Sequence, residues 1–187
     1  MAMTTHLAKM SDAEIVQEVY EQEATLRFPS FNSNDAFNIG TIIRAKFLAK
    51  HLPSSAFKEN STISSIASTA SSDEDQPPEW ANRGIVISIS TFTGHTLFAC
   101  TVGAESEVTP DNWVWVEGKR NILQAKTQES ANLPFPEYAT HGGAFPVWLQ
   151  NAPSSPVAVI VVSGLPQRDD HMIIVETLRE YIPTLGH

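Results

Sequence analysis

Residues 84–103 read GIVISISTFTGHTLFACTVG, and their pattern indicates the fold class. Two runs of β-branched and apolar residues flank the turn TFTG, a pattern typical of a β-hairpin. Further along, the runs AFPVWL and PVAVIVVSG flank the turn NAPSS and predict a second antiparallel pair. The chain is therefore expected to contain a small antiparallel sheet.

Two helices are predicted before the hairpin. The segment SDAEIVQEVYEQEATLRF opens with a capping box, Ser11 with Glu14, ahead of apolar residues at helical spacing. A second helix starts near Ser33 and carries an apolar stripe of four residues: Ala36, Gly40, Ile43 and Phe47. Gly40 costs about 1 kcal/mol against alanine inside a helix, which predicts a close contact at that position.

Two more helices follow the hairpin. The segment TPDNWVWVEGKRNILQAKT offers Thr109 as an N-cap and Pro110 at the first helical position. The last helix is expected from about Gln167 to Ile182. The predicted order is α-α-β-β-α-β-β-α, an α+β domain with helices packed on an antiparallel sheet.

The length of 187 residues predicts a single domain over residues 1–187. A flexible Ser-rich acidic insertion is predicted at about residues 60–80, because eight of the twelve residues from Ser61 to Ser72 are Ser or Thr. An acidic residue lies three positions after both Ser71 and Ser72, which favours phosphorylation there; the alternative is a solvated tether.

Charge and hydropathy exclude several classes of partner. Twelve basic against 21 acidic residues give a net charge of −9, which argues against nucleic acid or an anionic membrane as the main partner. The apolar run VAVIVV is far too short for a membrane span, and MAMTTHLAKM lacks the apolar core of a secretory signal. Cys100 is interpreted as a buried small residue rather than a redox thiol. We expect a cytoplasmic protein without direct membrane insertion.

Two motifs contain candidate site residues. In THGGAFP, the glycines Gly142 and Gly143 can form a backbone nest for an anion, although the motif alone favours a turn before a strand. In SGLPQRDDH, His171 lies near a helix start, where the dipole favours the neutral form that accepts a proton or ligates a metal. The alternative is a structural histidine, with Asp169 and Asp170 serving the dipole only.

Two further features have structural alternatives. Lys119 and Arg120 follow a helix N-terminus and can attract an anion, or they can belong to ordinary exposed turns. Trp113, Trp115 and Trp148 suit a ligand pocket or an oligomer interface, and we favour the interface. No nucleophile elbow, phosphate-binding loop, paired-cysteine motif or zinc-helix motif occurs.

Four separated motifs together resemble a known family: FNSNDAFNIG, HTLFACTVGAESEVTPDNWVWVEGKRNI, YATHGGAFPVWL and VIVVSGLPQRDDHMIIVETL. Their order and spacing are similar to UPF-type proteins related to the GlcG and HbpS family, often labelled a haem-degrading domain. The resemblance extends from Phe31 to about Ile182, apart from the insertion. It implies a profilin-like fold and homo-oligomers. The positions that match the family pocket are Asp111, Asn112, Trp115, Arg120, His141, Gly142, Gly143, Asp170 and His171.

The resemblance leaves two functions open. The insertion favours a eukaryotic, fungal branch, whose members look like cytosolic accessory factors for delivering tail-anchored membrane proteins. We therefore expect a non-catalytic homo-oligomer that meets chaperones or targeting factors and holds a small ligand at the pocket. The alternative is a haem- or metal-binding protein with haem-degrading or other oxidative activity, in which His141 or His171 supplies a ligand.

Overall fold

The computed structural model describes residues 11–51, 79–103, 108–126 and 142–186. The Ser-rich insertion with Ser71 and Ser72 lies outside these residues, as does His141. In chain order the elements are helix α1 (Asp12–Thr25), strand β1 (Arg27–Phe28), helix α2 (Ser33–His51), strands β2 (Ile85–Thr91) and β3 (Thr96–Val102), helix α3 (Pro110–Lys126), strands β4 (Ala144–Leu149) and β5 (Ala158–Ser163), helix α4 (Gln167–Tyr181) and a 3-10 turn (Ile182–Leu185). The predicted α+β class is confirmed.

The five strands form one sheet in the order β1-β4-β5-β2-β3. Both predicted antiparallel pairs are present, β2 with β3 and β4 with β5, and β2 also pairs antiparallel with β5. The predicted element order lacks β1, which lies between the first two helices and pairs parallel with the end of β4. A two-residue strand has no periodicity to detect. It exists because β4 supplies its hydrogen-bond partner. Just after β4, the backbone N–H of Gln150 donates a hydrogen bond of 2.9 Å to the Phe28 carbonyl and extends the pairing.

Apolar cores lie on both faces of the sheet. Since successive strand residues point to opposite faces, Ile85, Ile87 and Ile89 of β2 join the larger core with α2 and α4. Val86 joins a smaller core with Val116 of α3. This two-sided burial explains why β5 is almost continuously apolar and why β2 is buried at six of its seven positions.

The local helix predictions are confirmed at α1 and α2. The Ser11–Glu14 capping box begins α1, with both reciprocal hydrogen bonds formed. All four residues of the predicted α2 stripe are buried. The close contact predicted at Gly40 is with the ring of Phe98 on β3, which a Cβ at position 40 would approach to 2.4 Å. Helix α2 therefore packs closely on β3 because Gly40 has no side chain.

Helix α4 ends within one residue of its predicted boundary and buries its apolar face in the larger core. Cys100 is half-buried on β3, and burial raises the pKa of its thiol despite the charge of Arg44. Within the described ranges, no helix combines the length and the apolar character that a membrane span needs.

Candidate functional site

A cavity of about 240 Å³ lies between helix α3 and the connection from β5 to α4. Helix α3 contributes residues at positions i, i+3 and i+7, which share one helix face. The end of β5 and the first turn of α4 close the other side. The lining residues are Asn112, Trp115, Lys119, Ser163, Gly164, Leu165, Gln167 and Asp170.

A buried ion pair forms the charged part of this cavity. The Nζ of Lys119 donates to Oδ2 of Asp170 at 2.8 Å and to the carbonyl of Val162 at 2.9 Å. Both charged side chains are only 3% exposed. A buried charge is tolerated only when it is paired and hydrogen-bonded, and this pair meets both conditions.

Asp170 also holds the loop that leads into α4. Its Oδ1 accepts the N–H of Leu165 at 3.0 Å, and the backbone of Gly164 supplies a further hydrogen bond. Burial raises the pKa of Asp170 to about 6, although the charge of Lys119 and these hydrogen bonds act in the opposite direction. The carboxyl group therefore joins α3, β5 and α4 at one point.

Gly142 and Gly143 pack directly against this cluster. A Cβ on Gly143 would lie 2.6 Å from Cβ of Asp170 and 2.9 Å from Nζ of Lys119, and its φ of +103° is itself unfavourable for other residues. A Cβ on Gly142 would lie 2.6 Å from the carbonyl of Gln167. The glycines thus allow the start of β4 to approach the ion pair.

The structure separates the predicted pocket residues into groups. Asn112, Trp115 and Asp170 line the cavity, and the two glycines pack behind it. Asp111 is exposed in the first turn of α3, and Arg120 pairs with Glu117 on the same helix. The Oδ1 of Asn112 accepts both the N–H and the hydroxyl of Thr109, at 2.9 and 3.1 Å, which ties it to the start of α3.

His171 contacts helix α1 instead of the cavity. Its Nε2 lies 2.7 Å from Oε1 of Gln22, and its ring centroid is 6.1 Å from that of Phe145. Burial lowers the pKa of His171 to about 4; Glu18 opposes this shift and Arg179 adds to it. The predicted neutral form agrees with this direction, with burial as the main cause. Across the described residues, no three His, Cys, Asp or Glu side chains are grouped as a metal site.

The three tryptophans proposed for an interface occupy different environments. Trp113 is 38% exposed on α3, whereas Trp115 lines the cavity. Trp148 is partly buried at the end of β4, where the guanidinium of Arg27 lies 5.4 Å from its ring centroid. Only Trp113 among them has a large exposed surface.

Two interpretations from the sequence were wrong. Lys119 is not an exposed residue of the last turns, because it is buried and paired with Asp170. Asp170 does not serve the helix dipole only, because its carboxylate also pairs with Lys119 and accepts the N–H of Leu165. The helical spacing from Asn112 through Trp115 could have placed Lys119 at the site. No such signal in the sequence pointed to Ser163, Gly164 and Gln167, which line the cavity because β5 ends and α4 begins beside α3.

Sequence comparison identifies the family of this chain. A family model described as "Haem degrading protein HbpS-like" matches residues 78–179. The chain belongs to the HbpS-like family. A UPF0303 protein of Burkholderia thailandensis is 30% identical over 189 residues, covering 92% of this chain and 90% of the relative. A UPF0303 protein of Brucella canis is 28% identical over 186 residues, covering 90% and 88%.

A solved structure supports the fold. The crystal structure of the Ybr137w protein matches with a TM-score of 0.62 at 24% sequence identity, covering 90% of this chain and 88% of that one. At this identity the likeness extends to the α+β fold alone. Any functional conclusion for this chain therefore has to be argued from the residues that line the cavity.

Proposed function

We propose that this chain is a non-catalytic, homo-oligomeric cytosolic protein that binds partner proteins and holds a small ligand beside Gly142 and Gly143. The observation that carries the oligomer is strand β3, which ends the sheet. Its sequence TLFACTV contains no charge and no proline, the usual devices that protect an edge strand. An antiparallel strand of this kind can pair with its own copy about a two-fold axis.

An exposed aromatic side chain beside this strand supports the same proposal. Phe37 of α2 is 60% exposed, and its ring makes an edge contact with Phe98 of β3, with 6.1 Å between centroids. A second copy paired along β3 would cover both rings. We therefore place the interface between copies at β3 and the adjoining face of α2.

The proposed absence of catalysis is supported by the state of the cavity groups. Lys119 and Asp170 are bound to each other and to the backbone, so neither is available as a base in this arrangement. Ser163 contributes a hydroxyl, but within the described residues no histidine lines the cavity to activate it. Such a site favours binding over turnover.

Light scattering after size-exclusion chromatography tests the proposed interface. Wild-type protein at micromolar concentration is expected as a homo-oligomer, and Phe37→Glu is expected to reduce its mass by placing a charge in the contact. Ala49→Glu, at an exposed position further along α2, is the matched control and should keep the wild-type mass. A wild-type monomer would contradict the proposal.

The proposed protein partners are cytosolic chaperones or targeting factors that deliver tail-anchored membrane proteins. The support is the family resemblance of the chain, and the fungal origin that we infer rests on the Ser-rich insertion. Direct binding between purified targeting factors from the same organism and the oligomer is the measurement. No binding to any of them would reject this part of the proposal and leave the oligomer intact.

The alternative, haem or metal binding with oxidative chemistry, is supported by the description of the family model. The described histidines do not fit an axial ligand at the cavity: His171 bonds Gln22, Nδ1 of His51 lies 2.9 Å from the Trp80 carbonyl, and His95 is exposed in a turn. Haemin titration decides the matter. A Soret shift lost on replacing both His141 and His171 by alanine would favour haem.

A further inference from the structure

The ammonium of Lys119 has one hydrogen-bond donor beyond those used in the ion pair and the bond to Val162. Lys119 carries three N–H donors, and among the described residues its Nζ has two acceptors, the Asp170 carboxylate and the Val162 carbonyl. Lys119 itself lines the cavity. Since an ammonium hydrogen without an acceptor is costly, the third donor is available to an acceptor, water or ligand, in the cavity.

The Asp170 carboxylate already accepts several hydrogen bonds from the protein. Oδ2 accepts from Lys119, Oδ1 accepts from Leu165, and the Gly164 backbone adds a third hydrogen bond. These three donors from the protein itself occupy most of the roughly four acceptor sites of a carboxylate. A cationic ligand would lie beside the Lys119 ammonium and be repelled by it, whereas a ligand oxygen can accept from Lys119 and from the hydroxyl of Ser163.

The remaining walls of the cavity favour a flat apolar group. Trp115 and Leu165 line it, and an indole face packs well against another planar group. A volume of about 240 Å³ is sufficient for a small molecule.

We propose that this cavity binds a small planar monocarboxylate, with its apolar part on Trp115 and its carboxylate oxygens on Lys119 and Ser163. The Lys119 ammonium would then be shared between Asp170 and the ligand carboxylate, so the negative charge of the ligand is both paired and hydrogen-bonded. The inference rests on the ligand-binding part of the proposed function and gives that ligand a chemical class.

Titration calorimetry with three probes of similar size tests the class. Benzoate is the carboxylate, benzamide its neutral counterpart, and benzylamine the cation. We expect benzoate to bind at least about tenfold more tightly than benzamide, and benzylamine not to bind. Equal binding of benzoate and benzamide, preference for benzylamine, or no binding of benzoate at millimolar concentration would each overturn the proposal.

Variants of two neighbouring tryptophans locate the binding. Trp115→Leu removes the planar wall and is expected to weaken benzoate binding at least about tenfold. Trp113→Leu changes an exposed tryptophan of the same helix and should retain wild-type affinity. Equal losses in both variants would place benzoate outside the cavity.

The charge on Lys119 is tested with a paired substitution that avoids a lone buried charge. Lys119→Met with Asp170→Leu should abolish the preference for benzoate over benzamide while the fold is retained, and a retained preference would contradict the role of Lys119. Should the pair fail to fold, the three-probe ranking and the tryptophan variants still decide the proposal. Oligomer mass is measured on the same samples: an intact oligomer without benzoate binding rejects this inference alone, and a monomer rejects the proposed oligomer alone.

Discussion

The residue-scale feature that organises this protein is the contact between Lys119 and Asp170. Two charges that are 51 positions apart in the chain meet inside it and connect a helix, the end of a central strand and the start of a second helix. Removing one partner of such a pair costs about 3–5 kcal/mol of stability, because the other charge stays buried. The glycine at 143 is needed for the same reason, since any Cβ there would enter the space of both side chains.

His171 gives a prediction at this scale. Burial lowers its pKa to about 4, whereas the unfolded chain takes up the proton near the ordinary value of 6.5. Between these pH values the unfolded state binds more protons, so the contribution of His171 is complete above pH 6.5 and is lost as the pH falls towards 4. We expect wild type to lose about 2 kcal/mol relative to His171→Gln between about pH 7.5 and about pH 5.

Urea unfolding of the two proteins at both pH values measures this difference. The comparison between proteins is essential because the raised pKa of Asp170, about 6, acts with the opposite sign over part of the same range. Asp170 is present in both proteins and cancels to first order. Parallel pH profiles would show that His171 does not titrate as described.

At the scale of elements, the contact of α2 with β3 depends on a helix residue without a side chain. Gly40→Ala gains about 1 kcal/mol of helix propensity, yet its Cβ would lie 2.4 Å from the Phe98 ring. Forcing a methyl group into a packed contact costs about 1–3 kcal/mol, so the variant should be destabilised on balance.

Thermal unfolding checks this prediction against Thr41→Ala, an exposed neighbour on α2. The control should keep or slightly raise the Tm, because it changes helix propensity without a steric contact. Gly40→Ala should lower the Tm by a few degrees, and adding Phe98→Ala should relieve the steric part of that loss. If Gly40→Ala is as stable as the control, position 40 and the Phe98 ring are not in tight contact.

The elements that the sequence predicts correctly are those specified locally. The capping box at Ser11 and the stripe through Gly40 depend on neighbours within a few turns, and the hairpin depends on its own turn. Strand β1 could not be predicted, since two residues become a strand only when β4 lies beside them. Lys119 was misjudged for a related reason: its burial is decided by Asp170, which is distant in sequence.

At the scale of the whole molecule, a five-stranded sheet with helices on both faces supports a cavity at one edge of α3 and an uncharged strand at the end of the sheet. These features support binding in two forms, to a small ligand and to another protein surface. Sequence could indicate the family and part of the cavity, namely Asn112, Trp115 and Asp170, because those positions lie in motifs that the family resemblance covers.

Native mass spectrometry of the protein purified from its own source measures the proposed oligomer and the proposed ligand in one experiment. We expect a mass of two or more copies of the 20.5 kDa chain, together with a small added mass that is lost on gentle activation. That added mass should be displaced by benzoate. If only a 20.5 kDa species without a bound molecule is detected at micromolar concentration, both the proposed oligomer and the proposed ligand are contradicted.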